Sequence, residues 1–294
     1  MSIISKTYPA FKRSENKSKI LDEFLNPKGN FHEVDYLGYM MPGFIEKVHE
    51  WCGEWKSKGC LNIEEHKNGK AFIKRYQRSC YRADCKTCSK KWLARLANRS
   101  CSRFTIFQAN EGYRAKHIVV SPPSWYHQKS VKYLKKFVYK LLKNVGCFGG
   151  TVIFHAYRNY KDDLGHKIWY YSPHFHVVGF GWIAGTSKAY QKNGWVVKNV
   201  GIRKSIFQTL YYQLSHSTIV KGRHTITWFG RLSYHNSQLK VEDEPILQLC
   251  PMCKHQLEDL EWNGRGEPPP DEIFEGFVDA DSYFAPKIPY IPKK

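Results

Sequence analysis

His174-Phe175-His176 sets two imidazoles on either side of one apolar residue, inside the run Tyr171-Ser172-Pro173-His174-Phe175-His176-Val177-Val178-Gly179-Phe180-Gly181. Its alternation reads as a short β-strand. Both rings then leave the sheet on one face, roughly 7 Å apart along the chain, while Phe175 packs on the other. Two neutral imidazoles so placed are half of a site for a divalent cation. A His-apolar-His triplet arises easily in a chain with 13 histidines, so its meaning depends on what else the chain brings near it.

A second stretch offers the rest of such a site. Arg203 to Ser217 has helical spacing, with Ile206, Phe207, Leu210 and Leu214 forming an apolar stripe and Tyr211 at its border. Tyr212 lies on the opposite side with Ser205, Gln208, Thr209 and His216, and His216 is one turn on at i+4. A phenol titrates near ~10 and needs a neighbouring cation or base before it can attack. A cation held by His174, His176 and His216 would also polarise a scissile phosphate. Taken alone, the helix fits surface tyrosines that merely touch DNA better than a nucleophile.

The cysteines point to a different metal. Cys80-x4-Cys85-x2-Cys88 runs directly into the basic amphipathic helix Lys90-Lys91-Trp92-Leu93-Ala94-Arg95-Leu96-Ala97-Asn98-Arg99. Tetrahedral zinc takes four soft ligands, and a Cys-x2-Cys turn supplies two of them. Cys60, Cys80, Cys85 and Cys88 make the simplest set, with His66 a rival for the first place. A second knuckle, Cys250-Pro251-Met252-Cys253, must borrow ligands, with His224, His235, His255 or the residue left over near Cys60 as sources. Nine cysteines at such spacings fit zinc in a reducing compartment better than a disulfide framework.

The elements that must position these groups can be read in order. Residues 1–35 lack periodicity and read as a mobile basic arm; 36–112 form a helical zinc-binding region, with a helix opening at Pro42 and running Gly43 to Trp51. Residues 113–240 alternate strands (from Lys116, Thr151, the histidine strand, Trp195 and His224) with helices (Lys129 to Leu142 and Arg203 to Ser217). No Gly-rich phosphate loop follows any strand, so antiparallel α+β is expected in preference to a doubly wound sheet. Residues 241–257 carry the second knuckle. From Glu258 to Lys294 nine acidic residues stand against four basic ones, with Pro268-Pro269-Pro270 among them, which reads as an extended acidic linker.

Bulk composition names the partner class. Lys and Arg number 46 against 26 Asp and Glu, a net charge of +20, so a polyanion is expected, nucleic acid foremost. Nineteen Tyr, 17 Phe and 9 Trp suit stacking on unpaired bases. No run approaches the ~18 apolar residues of a membrane span, and the polar, basic N-terminus does not read as a signal peptide. A cytoplasmic location with no membrane partner is the expectation.

In order, His117-Ile118-Val119-Val120-Ser121, His174-Phe175-His176 and Tyr211-Tyr212-x3-His216 resemble the three motifs of the HUH superfamily of single-strand endonucleases. Ser79-Cys80-Tyr81-Arg82-x2-Cys85-x2-Cys88-x3-Trp92, Ser172 to Gly181 and Trp228-Phe229-Gly230-Arg231-Leu232-Ser233-Tyr234 resemble, within it, rolling-circle replication initiators of archaeal plasmids and viruses. The resemblance covers most of residues 60–255. It implies a ferredoxin-like five-stranded antiparallel sheet covered by helices, with the histidine pair on a central strand, and bound Mg²⁺ or Mn²⁺. It also implies nicking and rejoining of single-stranded DNA at a replication origin, in company with a host helicase or polymerase. By it, His174 and His176 are metal ligands, and Tyr212 attacks the phosphate to give a 5′-phosphotyrosine and a priming 3′-OH. The family's Lys four places after the tyrosine is here His216. The third ligand is therefore His216, as in single-tyrosine transposases, or His155 from the neighbouring strand; a second-round role for Tyr211 is open. A transposase of the same chemistry, and a non-catalytic zinc-dependent DNA-binding regulator, are the competing expectations.

Overall fold

A computed structural model describes residues 39–161, 163, 167–220, 222–236, 239 and 248–286. In chain order these form β1 (Trp55–Cys60), β2 (Ala71–Gln77), α1 (Ser89–Glu111), β3 (Lys116–Ser121), α2 (Val131–Asn144), β4 (Cys147–Lys161) and β5 (Lys167–Gly181). Then follow α3 (Thr186–Asn193), β6 (Val196–Ile202), α4 (Ile206–Ser215), β7 (Ile226–Gly230), β8 (Glu258–Trp262), β9 (Glu275–Val278) and β10 (Tyr283–Phe284). The N-terminal arm and residues 240–247 and 287–294 lie outside the described residues. Two compact units divide the chain, one within residues 1–46 and 83–241, the other within 47–82 and 242–294.

The first unit is an antiparallel five-stranded sheet of order β6-β3-β5-β4-β7, so the histidine strand β5 is central. Alternation along β5 divides the core. Phe175 and Val177 face α2, whose Val131, Leu134, Val138 and Leu141 fall at helical spacing, and Ser130 caps that helix by accepting from the Tyr133 N–H. Val178 and Phe180 face the other way, onto Phe104 and Phe107 of α1 and Leu210 and Leu214 of α4. His174 and His176 share that second face. As expected of a strand with period two, the histidines sit under the tyrosine helix.

Arg103 of α1 fixes the turn after β7. Its buried guanidinium donates to the carbonyls of Leu232 (3.1 Å), Leu239 (2.6 Å) and Ser233. Arg103→Met keeps the bulk but takes the donor from the buried carbonyls of Leu232 and Leu239, while Ser233 O keeps the Asn236 N–H. The expected cost is about 3 kcal/mol, read from urea unfolding; a change under about 1 kcal/mol would contradict this role.

Two sequence expectations fail here. Gly43 to Trp51 is a series of turns and not a helix. Gly43 sits at φ +79°, and its N–H and that of Ile45 reach the carbonyls of Ala83 and Asp84 instead of a preceding turn. The acidic segment from Glu258 is not an extended linker: the second unit is an antiparallel sheet of order β10-β8-β1-β2-β9, to which it contributes three strands. Composition concealed this because the acidic strands answer basic ones. Lys58 meets Asp259 at 3.7 Å and Lys74 meets Glu275 at 3.1 Å, while Leu260 and Tyr283 pack on Ile73. Such exposed pairs are each worth under ~1 kcal/mol and serve mainly to set register. The triple proline lies in the connection between β8 and β9. Among the described residues no helix is long and apolar enough to cross a membrane.

Candidate metal centres and the tyrosine helix

The histidine site is assembled by β3, β4, β5 and the end of α4. Ser205 caps α4 by accepting from the Gln208 N–H at 3.2 Å, and the helix stops at Ser215. Beyond it the Thr218 N–H donates to Phe154 O (2.9 Å), and Thr218 Oγ1 accepts from the Ala156 N–H (2.6 Å). These bonds seize β4 where its register shifts between His155 and Tyr157. They lower His216, which leaves the helix with φ −132°, onto His155.

Three imidazoles converge there. The ligand nitrogens of His155, His176 and His216 all lie within 4.8 Å of one another, and ring centroids are 4.3 Å apart for His155 and His176 and 4.6 Å for His155 and His216. The sequence set His174, His176 and His216 is therefore brought together only in part: His155, its runner-up, takes the place in the triad. His174 stands opposite His155 across the two strands, with ring centroids 5.2 Å apart. Its Nδ1–H donates to Ser172 O at 2.8 Å, which leaves Nε2 as an unprotonated acceptor at the edge of the group.

The protonation states suit ligation. Burial, reinforced by the neighbouring imidazoles, pushes His155 and His176 well below 6.5. Burial and the Arg158 charge hold His174 at about 3, and burial and Arg203 hold His117 at about 4. All four are neutral at pH 7. In metal-free protein the sign follows: below pH 6.5 the unfolded chain takes up protons that folded His117 and His174 refuse, so stability falls toward pH 4 and then 3, by up to ~1.4 kcal/mol per pH unit for each. In chelator, the thermal midpoint of His174→Asn should drop less between pH 7 and 5 than that of the wild type; parallel curves would contradict the assignment.

Whether the site fits a cation can be judged from His155. It is fully buried, and its ring nitrogens have no hydrogen-bond partner beyond a weak contact with the Gln213 backbone, an arrangement costing about 1–3 kcal/mol per unpaired group. A divalent cation would supply the missing partner. With nitrogen donors and no carboxylate in the group, Mn²⁺ suits it better than Mg²⁺.

Behind the triad lies a pair the sequence reading did not single out. Arg203 Nη2 donates to His117 Nδ1 at 2.9 Å, and His117 Nε2 is 2.7 Å from His176 Nδ1. Guanidinium is only a donor, so in the metal-free arrangement His117 carries its proton on Nε2 and gives it to His176 Nδ1, which places the proton of the neutral His176 ring on Nε2. Ligation through Nε2 would require that proton to move to Nδ1 and the His117–Arg203 contact to open. His117 heads a strand already read from sequence, but nothing local reveals that it pairs with His176; that follows from the β3–β5 register.

Tyr212 stands one turn before His216 with its ring 4.6 Å from that imidazole, and it is 63% exposed. Tyr211 instead packs beside Phe207, with ring centroids 5.8 Å apart and tilted, on the rim of the core.

In the second unit a complete Cys3His set is present. Cys60, His66, Cys250 and Cys253 have their ligand atoms within 4.8 Å of one another. Cys60 Sγ to Cys253 Sγ is 3.5 Å, and His66 Nε2 is 3.3 Å from both Cys250 Sγ and Cys253 Sγ. A zinc tetrahedron with ~2.3 Å bonds has edges of roughly 3.6–3.8 Å. His66 Nδ1–H donates to Lys70 O at 2.7 Å, turning an unprotonated Nε2 toward the thiols. Burial pushes the Cys60 thiol up to about 12; burial would also raise Cys253, but hydrogen bonds from the His255 backbone and side chain lead the contacts that bring it down to about 6.

Cys60 is thus not a partner of Cys80, Cys85 and Cys88. The hairpin register places Cys60 opposite Phe72 at one end and Trp55 opposite Gln77 at the other, so the chain preceding β1 returns beside the chain following β2. Cys52, which the sequence reading passed over, lies in the second unit with Cys80, and Cys85 and Cys88 form the turn that opens α1 in the first; the Cys3His group could hold zinc. His224 and His235 do not join it; His255 lies in a smaller one with Glu65 and Cys253.

Comparison with protein-family models, with curated proteins and with solved structures gives no match.

Proposed function

We propose that the first unit is an HUH-type nuclease domain that nicks and rejoins single-stranded DNA through Tyr212, as a rolling-circle replication initiator does. The observation that carries this reading is the exposed Tyr212 phenol one turn from His216, whose ring covers the buried His155 beside His176. A central histidine strand under a tyrosine helix is what a ferredoxin-like HUH arrangement requires, and a net charge of +20 suits its polyanionic substrate.

In this mechanism His155, His176 and His216 would hold the cation, with Mn²⁺ favoured over Mg²⁺. When bound, a divalent cation supplies Lewis-acid polarisation of the scissile phosphate. The α4 backbone presents Tyr212 at the surface, where its hydroxyl gives its proton to water. The Oη–P bond then forms as the P–O3′ bond breaks, the departing 3′ oxygen takes a proton, and the strand is left joined to Tyr212 by its 5′ phosphate. Because the phosphoester keeps the energy of the broken bond, a 3′-OH can later displace Tyr212 and reseal the strand. A single-tyrosine transposase would use the same atoms on different DNA. A DNA-binding regulator would not, and assigns no role to the triad.

A random single-stranded DNA library tests this whatever the nick site. The library is incubated with protein and Mn²⁺, and protein-linked strands are recovered under denaturing conditions and sequenced. A denaturant-resistant, 5′-linked population is expected. Retention that vanishes entirely on denaturation would leave the regulator.

A further inference from the structure

We propose that the first unit carries a second, non-catalytic contact for single-stranded DNA: a base-stacking track along α3 with Trp182 at one end and Trp125 at the other. Among the described residues these are the two exposed tryptophans, at 83% and 67% exposure. Exposed indoles are a poor use of surface unless they meet something flat and apolar.

Neither ring dangles. Trp182 follows β5 directly, and Lys116 Nζ sits 5.5 Å over its ring while donating to Gly181 O at 2.7 Å, so that side of the indole is backed by a tethered cation. Trp125 lies against Gly194, the residue that ends α3 in a left-handed conformation at φ +68°. A Cβ at Gly194 would come within 2.9 Å of Trp125 Cη2, so the ring's seat depends on glycine for shape as well as for φ.

Between the indoles, α3 exposes Lys188 and Lys192, which with Trp182, Leu141 and Val145 line a groove of ≈ 500 Å³. None of the residues lining it is acidic, and among the described residues no carboxylate pairs with either lysine. Aromatic faces interleaved with cations fit a strand whose bases are unpaired and whose phosphates pass the lysines. A duplex hides its base faces and cannot use such a track. Trp182 lies just past the end of the central strand, six residues beyond His176 and about 20 Å away at the rise of a β-strand. The groove thus serves to hold flanking DNA and not the scissile phosphate. That the polyanion is DNA rests on the nuclease reading; the stacking geometry does not.

Fluorescence anisotropy of a labelled (dT)20 strand with the full, metal-loaded chain tests this. Trp182→Ala should weaken binding roughly tenfold and Trp182→Phe much less. Lys188→Ala with Lys192→Ala should lower the slope of log affinity against log salt by roughly 1.4. Covalent adducts are scored separately on the wild-type protein, so their absence bears on the nuclease reading alone. Trp182 is exposed, so its variants keep the fold, which circular dichroism verifies. Binding by Trp182→Ala and Trp125→Ala within twofold of wild type, or equal competition by duplex DNA, would overturn the proposal.

Discussion

Replacing Tyr212 with Phe should abolish covalent adduct formation and strand cleavage, by at least about a thousandfold, while leaving single-strand affinity within about twofold of wild type. The size follows from the role: without Oη no nucleophile exists, and water is not positioned to replace it. The selectivity follows from the site. Tyr212 is 63% exposed and its ring edge meets His216, so removing the hydroxyl changes stability by no more than about 0.5 kcal/mol. Tyr211→Phe is the internal control. That side chain packs with Phe207 at the core rim and should retain cleavage. If the two variants behaved in the opposite way, Tyr211 would be the nucleophile and the proposed geometry wrong.

The second large effect concerns the Cys3His group. Cys250→Ser should remove one equivalent of zinc and unfold the second unit while the first remains folded. This unit has only small apolar clusters, Cys60 with Phe72, Cys250 and Leu257, and Ile73 with Leu260 and Tyr283. A unit this small rarely supplies more than a few kcal/mol from its core. Structural zinc contributes ~10–16 kcal/mol of apparent binding free energy to such folds. The metal would bridge Cys60 and His66 to Cys250 and Cys253 across more than 180 residues of sequence, so its loss frees both segments at once. Limited proteolysis with metal analysis reads this directly: new cleavage within residues 47–82 and 248–286, and none within α1, β4 or β5. Wild-type protease resistance together with wild-type zinc content would contradict it.

Local pattern revealed much of the first unit. Val177, Val178, Gly179 and Phe180 announced a strand, and Ile206, Leu210 and Leu214 announced a helix whose far side carries Tyr212. What stayed hidden depended on non-local pairing. His155 displaces His174 from the triad because β4 changes register just after it and Thr218 draws the end of α4 onto that irregularity; no periodicity within β4 signals either. His117 and Arg203 act through the β3–β5 register for the same reason. The second sheet was illegible because β8 and β9 read as acidic and proline-flanked in isolation. Only opposite Lys56, Lys58 and Lys74 of β1 and β2 does their charge favour pairing. Likewise, Cys52 looked isolated until the hairpin brought the chain before β1 beside the chain after β2.

Mass spectrometry of the peptide left on a cleaved oligonucleotide tests the chemistry at its root. After protease digestion of a denatured adduct, the nucleotide mass should sit on the peptide containing Tyr212, through a 5′ phosphate, and should be absent when His155 or His176 is alanine. A nucleotide on any other residue, or an undiminished yield from the histidine variants, would contradict the pairing of this phenol with this imidazole cluster.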